Sequence, residues 1–183
     1  MSSDLSQHKP FAADPARAAA TSSWIRRAAA PVGFVAAVTA VGAGAAAISF
    51  AVTGGNPSVD GSLAYPAWWP PDWVFAGIWL IIYPASGMAA WRLWQQRHVA
   101  DVRGALTAFA LMNISSALFL PIASLVGGEP SVLTLMDLNG VIAVYALAWL
   151  FSRYSRPAAA WLLPYLVWMP LTAALKIWLW TLN

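Results

Sequence analysis

The chain has no cysteine, only two histidines, His8 and His98, and charge on only 9% of its 183 residues. Without Cys there is neither a disulfide framework nor a thiolate metal site. Neither His lies within a long apolar run, so the usual axial ligands of a haem are missing at membrane depth. A soluble domain carries about 25% charge, so the scarcity here argues that water is not the main solvent. Also missing are a phosphate-cradling loop, a Glu/His cluster and a nucleophile–base pair, which leaves hydrolysis and group transfer without visible machinery. The net charge of +3 could suit nucleic acid, but the placement of the charges speaks for membrane orientation and against a nucleic-acid partner.

Apolar residues fill the space that charge leaves. They make up 60% of the sequence, with a mean hydropathy of +0.63. A helix needs about 20 apolar residues to cross a bilayer, and five stretches qualify: 31–53, 73–95, 104–126, 132–152 and 157–181. Lipid cannot satisfy backbone polar groups, so each must be a helix. The expected fold is an all-α membrane protein, a five-helix bundle over residues 31–183 with one long connection at 54–72. GlyGlyGluPro at 127–130 and SerArgTyrSerArgPro at 152–157 are clear breaks, and Pro157 suits a helix start.

Residues 1–30 lack sustained apolar periodicity and read as a largely disordered cytoplasmic tail, with a short amphipathic turn at Trp24 to Arg27. Arg26 and Arg27 ahead of an apolar segment could also open a signal peptide, but that segment exceeds the usual core of about 7–15 residues. A retained first span is the better reading. Nine of the ten basic residues fall on one side of the five-span arrangement, from Lys9, Arg17, Arg26 and Arg27 to Arg92, Arg97, Arg103, Arg153 and Arg156. Asp60, Asp72 and Glu129 fall on the other. The positive-inside rule then places the N-terminus in the cytoplasm and the C-terminus outside.

The first span is rich in Gly and Ala. Ala36, Ala40 and Gly44, and again Ala43 and Ala47, recur every four residues, a small-residue face suited to packing within the chain or to a homodimer. Of the twelve tryptophans, ten fall near span ends, where indoles collect in any membrane protein. Trp79 and Trp168 do not. They lie about 9 Å and 16 Å into spans two and five at 1.5 Å per residue. Phe75, Trp79 and Tyr83 form a stripe on span two; Trp161, Tyr165, Trp168 and Thr172 form another on span five. Such stripes serve ordinary helix packing or line a gap. Interior prolines, Pro84 on one span and Pro164 and Pro170 on the other, favour the gap because they kink helices.

Two charges lie inside spans. Asp137 on span four and Lys176 on span five have similar depths, roughly 8–10 Å from the same end. A buried membrane charge costs about 2.5–3.5 kcal/mol on insertion scales. An ion pair locking the helices, a Lys176 contact to a ligand carboxylate, and snorkelling of Lys176 to the interface all relieve that cost.

The segment YPAWWPPDWVF, residues 65–75, packs three tryptophans and three prolines ahead of span two. Pro66, Trp68, Pro70, Pro71, Trp73 and Phe75, then Trp79, Ile82 and Tyr83, resemble the signature of the translocator proteins. That family is also called the tryptophan-rich sensory proteins, TspO/MBR, or peripheral-type benzodiazepine receptors. Pro164, Tyr165, Leu166 and Trp168 resemble its second motif, with Leu175 and Lys176 where the family has Leu-Asn. Span three carries Asn113 and Ser116 in place of the usual Gln-x-x-x-Asn-x-x-Trp. The resemblance implies a bundle, commonly dimeric, in a bacterial cytoplasmic membrane. It also implies a pocket for a porphyrin, sterol or similar flat apolar molecule beneath the proline-stiffened loop. By position, Trp68, Phe75, Trp79, Tyr83, Trp168 and Thr172 would line it, and Lys176 would meet a ligand carboxylate. The implied function is a receptor, sensor or carrier for a tetrapyrrole-like ligand with no covalent cofactor. An accessory subunit of a larger membrane complex stays open beside it. Light-dependent porphyrin degradation, tied in the family to tryptophans matching Trp79 and Trp168, is a further alternative.

Overall fold

The computed structural model describes residues 15–54 and 61–183, with side-chain detail in the first segment from residue 29 onward. The described residues contain no strand. The helices are α1 (Pro15–Thr53), α2 (Asp72–Trp94), α3 (Arg103–Ala117), α4 (Phe119–Leu125), α5 (Pro130–Ser152), α6 (Arg156–Ala160) and α7 (Leu163–Leu182), with a 3₁₀ turn at Gln95–His98 after α2. Five stretches are long and apolar enough to cross a membrane: Ala29–Thr53, Asp72–His98, Arg103–Leu125, Pro130–Ser152 and Leu163–Leu182. This is the expected five-span bundle.

Helix α1 starts earlier than the sequence reading allowed. The backbone is helical from Pro15, so residues 15–30 are not the irregular tail expected of them; residues 1–14 lie outside the described part. This segment has little apolar periodicity, but its many alanines give it high intrinsic helix propensity.

Proline governs the breaks. Pro121 has no N–H for the carbonyl four residues back and its ring crowds that turn, and the third span accordingly divides into α3 and α4 at Leu118. Pro164 does the same between α6 and α7. Pro84 and Pro170, by contrast, are carried inside continuous helices, so the gap described below needs no interruption at either. After α4 the chain turns through Gly127 and Gly128 at φ of 61° and 73°, a left-handed pair that costs glycine least. Gly128 N–H reaches the Ala123 carbonyl at 2.9 Å, closing the helix end.

Contacts of α1 with α2 and α3, of α5 with α3 and α7, and of α7 with α2 close the five spans into a ring. At Gly87 the backbones of α1 and α2 come close, and a Cβ there would meet Val35 Cα at 2.6 Å and the Phe34 carbonyl oxygen at 2.9 Å. The two ends of the ring differ. At the end carrying Arg97 and Arg153, Ala89, Ala90, Leu93, Phe109, Leu147, Phe151 and Leu162 form a dense buried cluster. Tryptophans rim this end, with Arg97 4.5 Å from the Trp94 ring and Arg153 5.0 Å from the Trp149 ring. Toward the end carrying residues 61–72 and Asn183, the centre is hollow.

Candidate functional site

The hollow is a cavity of about 460 Å³ to which every span contributes, within the range of roughly 300–1,000 Å³ that small-molecule sites occupy. Phe75, Trp79 and Tyr83 project from α2 at four-residue spacing, which puts them on one face. Tyr165, Met169, Thr172 and Lys176 line the cavity from α7 at steps of three and four, and Met136, Asp137, Asn139, Gly140 and Ala143 from α5. Gly42, Ala43 and Ala46 of α1 are small enough to leave the space open, and Gly42 lies directly against the Tyr83 ring. Met112, Ser115 and Ser116 of α3, with Phe119 and Leu120 of α4, complete the wall.

Neighbouring rings brace the aromatic side. Trp79 stacks on Tyr83 with centroids 5.2 Å apart and meets Tyr165 edge-on at 5.5 Å. The Tyr165 hydroxyl hydrogen-bonds Ser116 Oγ, which ties α7 to α3 across the hollow. The indole of Trp79 therefore keeps a fixed plane and lies along the cavity.

The cover is Trp69, which also lines the cavity. Its N–H donates to the Pro66 carbonyl at 2.9 Å, closing a tight turn. That turn sends Trp69 inward onto Phe75, at 5.9 Å, and leaves Trp68 outside against Trp178, also at 5.9 Å. Two further contacts hold the cover to α7. Lys176 Nζ sits 5.2 Å from the Trp69 ring centroid. The Asn183 carboxamide accepts from Ala64 N–H at 2.9 Å and donates to the Ala64 carbonyl at 3.1 Å.

Of the residues singled out from the sequence, Phe75, Trp79, Tyr83, Thr172, Asp137 and Lys176 all face this space. Trp68 does not: it is 55% exposed, because the turn at Pro66 directs it away. Trp168 is buried but lies behind the wall, edge-on to Phe75 at 5.5 Å. It sits about 60° round α7 from Tyr165 at 100° per residue, off the cavity-facing stripe. Asn113 turns back to the Phe109 carbonyl, and of the two polar candidates on the third span only Ser116 reaches the cavity. Sequence reasoning placed Trp69 in the interfacial belt, and nothing in the spacing separates it from its neighbour. Asn139 was missed, although the polar run Asp137-Leu138-Asn139 within span four, unusual at membrane depth, was a signal that could have found it.

A direct Asp137–Lys176 ion pair is one of three readings of these charges, and each charge lies within electrostatic reach of the other. Both are buried, yet among the described residues no salt bridge joins them. The Lys176 ammonium lies over Trp69 instead, and Asp137 Oδ2 is buried without a hydrogen-bond partner. Among the described residues no group of three His, Asp or Glu could hold a metal ion, so what the cavity offers is flat aromatic surface plus one anionic and one cationic group.

Comparison with known proteins agrees with this architecture. The sequence profile of the TspO/MBR family matches residues 34–181. The translocator protein of Ovis aries is 31% identical over 126 residues, covering 67% of this chain and 73% of that protein. The tryptophan-rich protein TspO of Chlorobaculum tepidum is 31% identical over 128 residues, covering 67% and 77%. Protein CrtK of Rhodobacter capsulatus is 29% identical over 127 residues, covering 67% and 76%. Five apolar helices around an aromatic hollow, capped by a Trp/Pro-rich loop and matched by this profile over most of the chain, identify the protein as a member of the TspO/MBR family.

Proposed function

We propose that the protein is a membrane receptor or carrier that takes a flat, largely apolar ring molecule, of the tetrapyrrole kind that the family resemblance implies, into the cavity beneath Trp69. The observation that carries this reading is the cavity itself. About 460 Å³ of space is walled by Phe75, Trp79, Tyr83 and Tyr165, whose rings are fixed by one another. Such walls suit a planar ligand, because stacked and edge-on ring contacts add about 0.5–1.5 kcal/mol each beyond buried area. A pre-formed site also avoids the ordering cost of binding. We further infer that the end rich in arginine faces the cytoplasm, with the loop and Asn183 outside. The exposed small residues of α1 point to association: Ala36 and Ala40 are open, and nothing lies within 4 Å of a Cβ placed on Gly44.

Titrating protoporphyrin into the detergent-solubilised protein should quench its tryptophan fluorescence saturably. Trp79→Leu should weaken binding about tenfold, the loss of one or two ring contacts. A flat titration with protein that keeps its helical circular dichroism refutes the reading.

A further inference from the structure

Two opposite charges face one cavity without a direct salt bridge between them. Asp137, only 5% exposed, leaves Oδ2 without a hydrogen-bond partner. Lys176, 4% exposed, makes neither a hydrogen bond nor a salt bridge among the described residues; its ammonium lies over the face of Trp69, within electrostatic reach of Asp137. In a membrane each isolated charge is expensive, and pairing between such side chains is the usual remedy. Here no salt bridge joins them, although each lies within electrostatic reach of the other, and both line the cavity. A buried carboxylate oxygen that accepts nothing is costly to maintain, whereas a donor brought to it forms a charge-assisted bond in a dry site. The same holds for an ammonium that lacks an acceptor. Asp72 lies at the exposed rim of the cavity, where water screens it. The buried part of the wall therefore carries one charge of each sign.

We propose that this cavity recognises an amphoteric ligand: an aromatic body ending in a cationic N–H donor that binds Asp137 and a carboxylate that binds Lys176. This rests on the ligand-binding reading above and narrows it. An apolar molecule lacking both groups leaves Asp137 Oδ2 and the Lys176 ammonium without a hydrogen-bonding partner. A molecule with one group satisfies one and leaves the other. A zwitterion closes both contacts while adding no net charge to the membrane interior, with its rings against Trp79 and Phe75. Carboxylate binding draws Lys176 from beneath Trp69, so the same contact that seats the ligand acts on the cover.

The test uses three probes with one aromatic body: 3-(2-naphthyl)alanine, 3-(2-naphthyl)propionate and 2-(2-naphthyl)ethylamine. Each is titrated calorimetrically into the full chain in lipid nanodiscs at pH 7, with protoporphyrin titrated in parallel. The amino acid should bind about tenfold or more tighter than either singly charged analogue, the ratio that one charge-assisted contact provides. Asp137→Asn should erase its advantage over the propionate, and Lys176→Met its advantage over the amine. The wild-type comparison stands even if a variant fails to fold. Equal affinities, or no binding of any probe while protoporphyrin binds, overturn the amphoteric proposal and leave the receptor reading intact. Silence from the probes and from protoporphyrin overturns both.

Discussion

Replacing Gly87 by alanine tests the helix spacing on which the cavity depends. The added methyl would sit 2.6 Å from Val35 Cα, 2.9 Å from the Phe34 carbonyl oxygen and 3.0 Å from Val35 N, all backbone atoms of α1. None of these can rotate aside as a side chain would, so α1 and α2 must move apart. Overpacking of this kind costs about 1–3 kcal/mol. The control lies on the same helix: a Cβ on Gly77 meets nothing within 4 Å, so Gly77→Ala should gain about 0.5–1 kcal/mol from helix propensity alone. For a chain of this size 1 kcal/mol shifts Tm by roughly 2–4 °C. Both variants share that propensity gain, so thermal unfolding in one detergent, followed by circular dichroism, should place Gly87→Ala about 2–12 °C below Gly77→Ala, the overpacking cost alone. The separation should also be felt in the cavity, because Gly42, further along α1, lies against Tyr83. Equal melting temperatures for the two variants would show that α1 does not approach α2 as closely as described, and the argument for a fixed Tyr83 would fall with it.

Two other substitutions probe the cover. Trp69→Ala should weaken protoporphyrin binding by about tenfold, the scale of one lost aromatic contact together with its buried area. Trp68→Ala, whose ring packs outside against Trp178, should leave binding within about twofold; the reverse order in a fluorescence titration would contradict the assignment of Trp69 as the lining ring. Asn183→Ala removes both hydrogen bonds to Ala64, together worth about 1–3 kcal/mol. Backbone amide exchange at Ala64 should accelerate by tenfold or more, and unchanged exchange would show that the clasp does not hold the loop.

Much of this fold was legible because a bilayer imposes blunt requirements on sequence. Length and apolarity located all five spans, and Pro157 marked the start of a helix, as Ser155 and the following turn confirm. Breaks inside spans were harder to read. Pro121 and Pro164 divide their spans whereas Pro84 and Pro170 do not, and packing around each ring decides between those outcomes. Of the two stripes at helical spacing, Phe75, Trp79, Tyr83, Tyr165 and Thr172 line one space, whereas Trp161 and Trp168 do not. The same reasoning could not choose between Trp68 and Trp69, since neighbours in a turn point in directions set by one hydrogen bond to Pro66. Depth placed Asp137 and Lys176 at one level, but depth says nothing about azimuth or about a competing ring. That is why depth alone left a direct pair open beside the other readings.

Helix α7 holds the bottom, one flank and the fastening of the chamber in a single rigid rod: Tyr165 and Met169 low down, Thr172 and Lys176 higher, and Trp178 and Asn183 gripping the roof. One helix therefore carries both the floor and the fastening, so any tilt of α7 at Tyr165 would carry Trp178 and Asn183 with it, and with them the hold on the 61–72 loop.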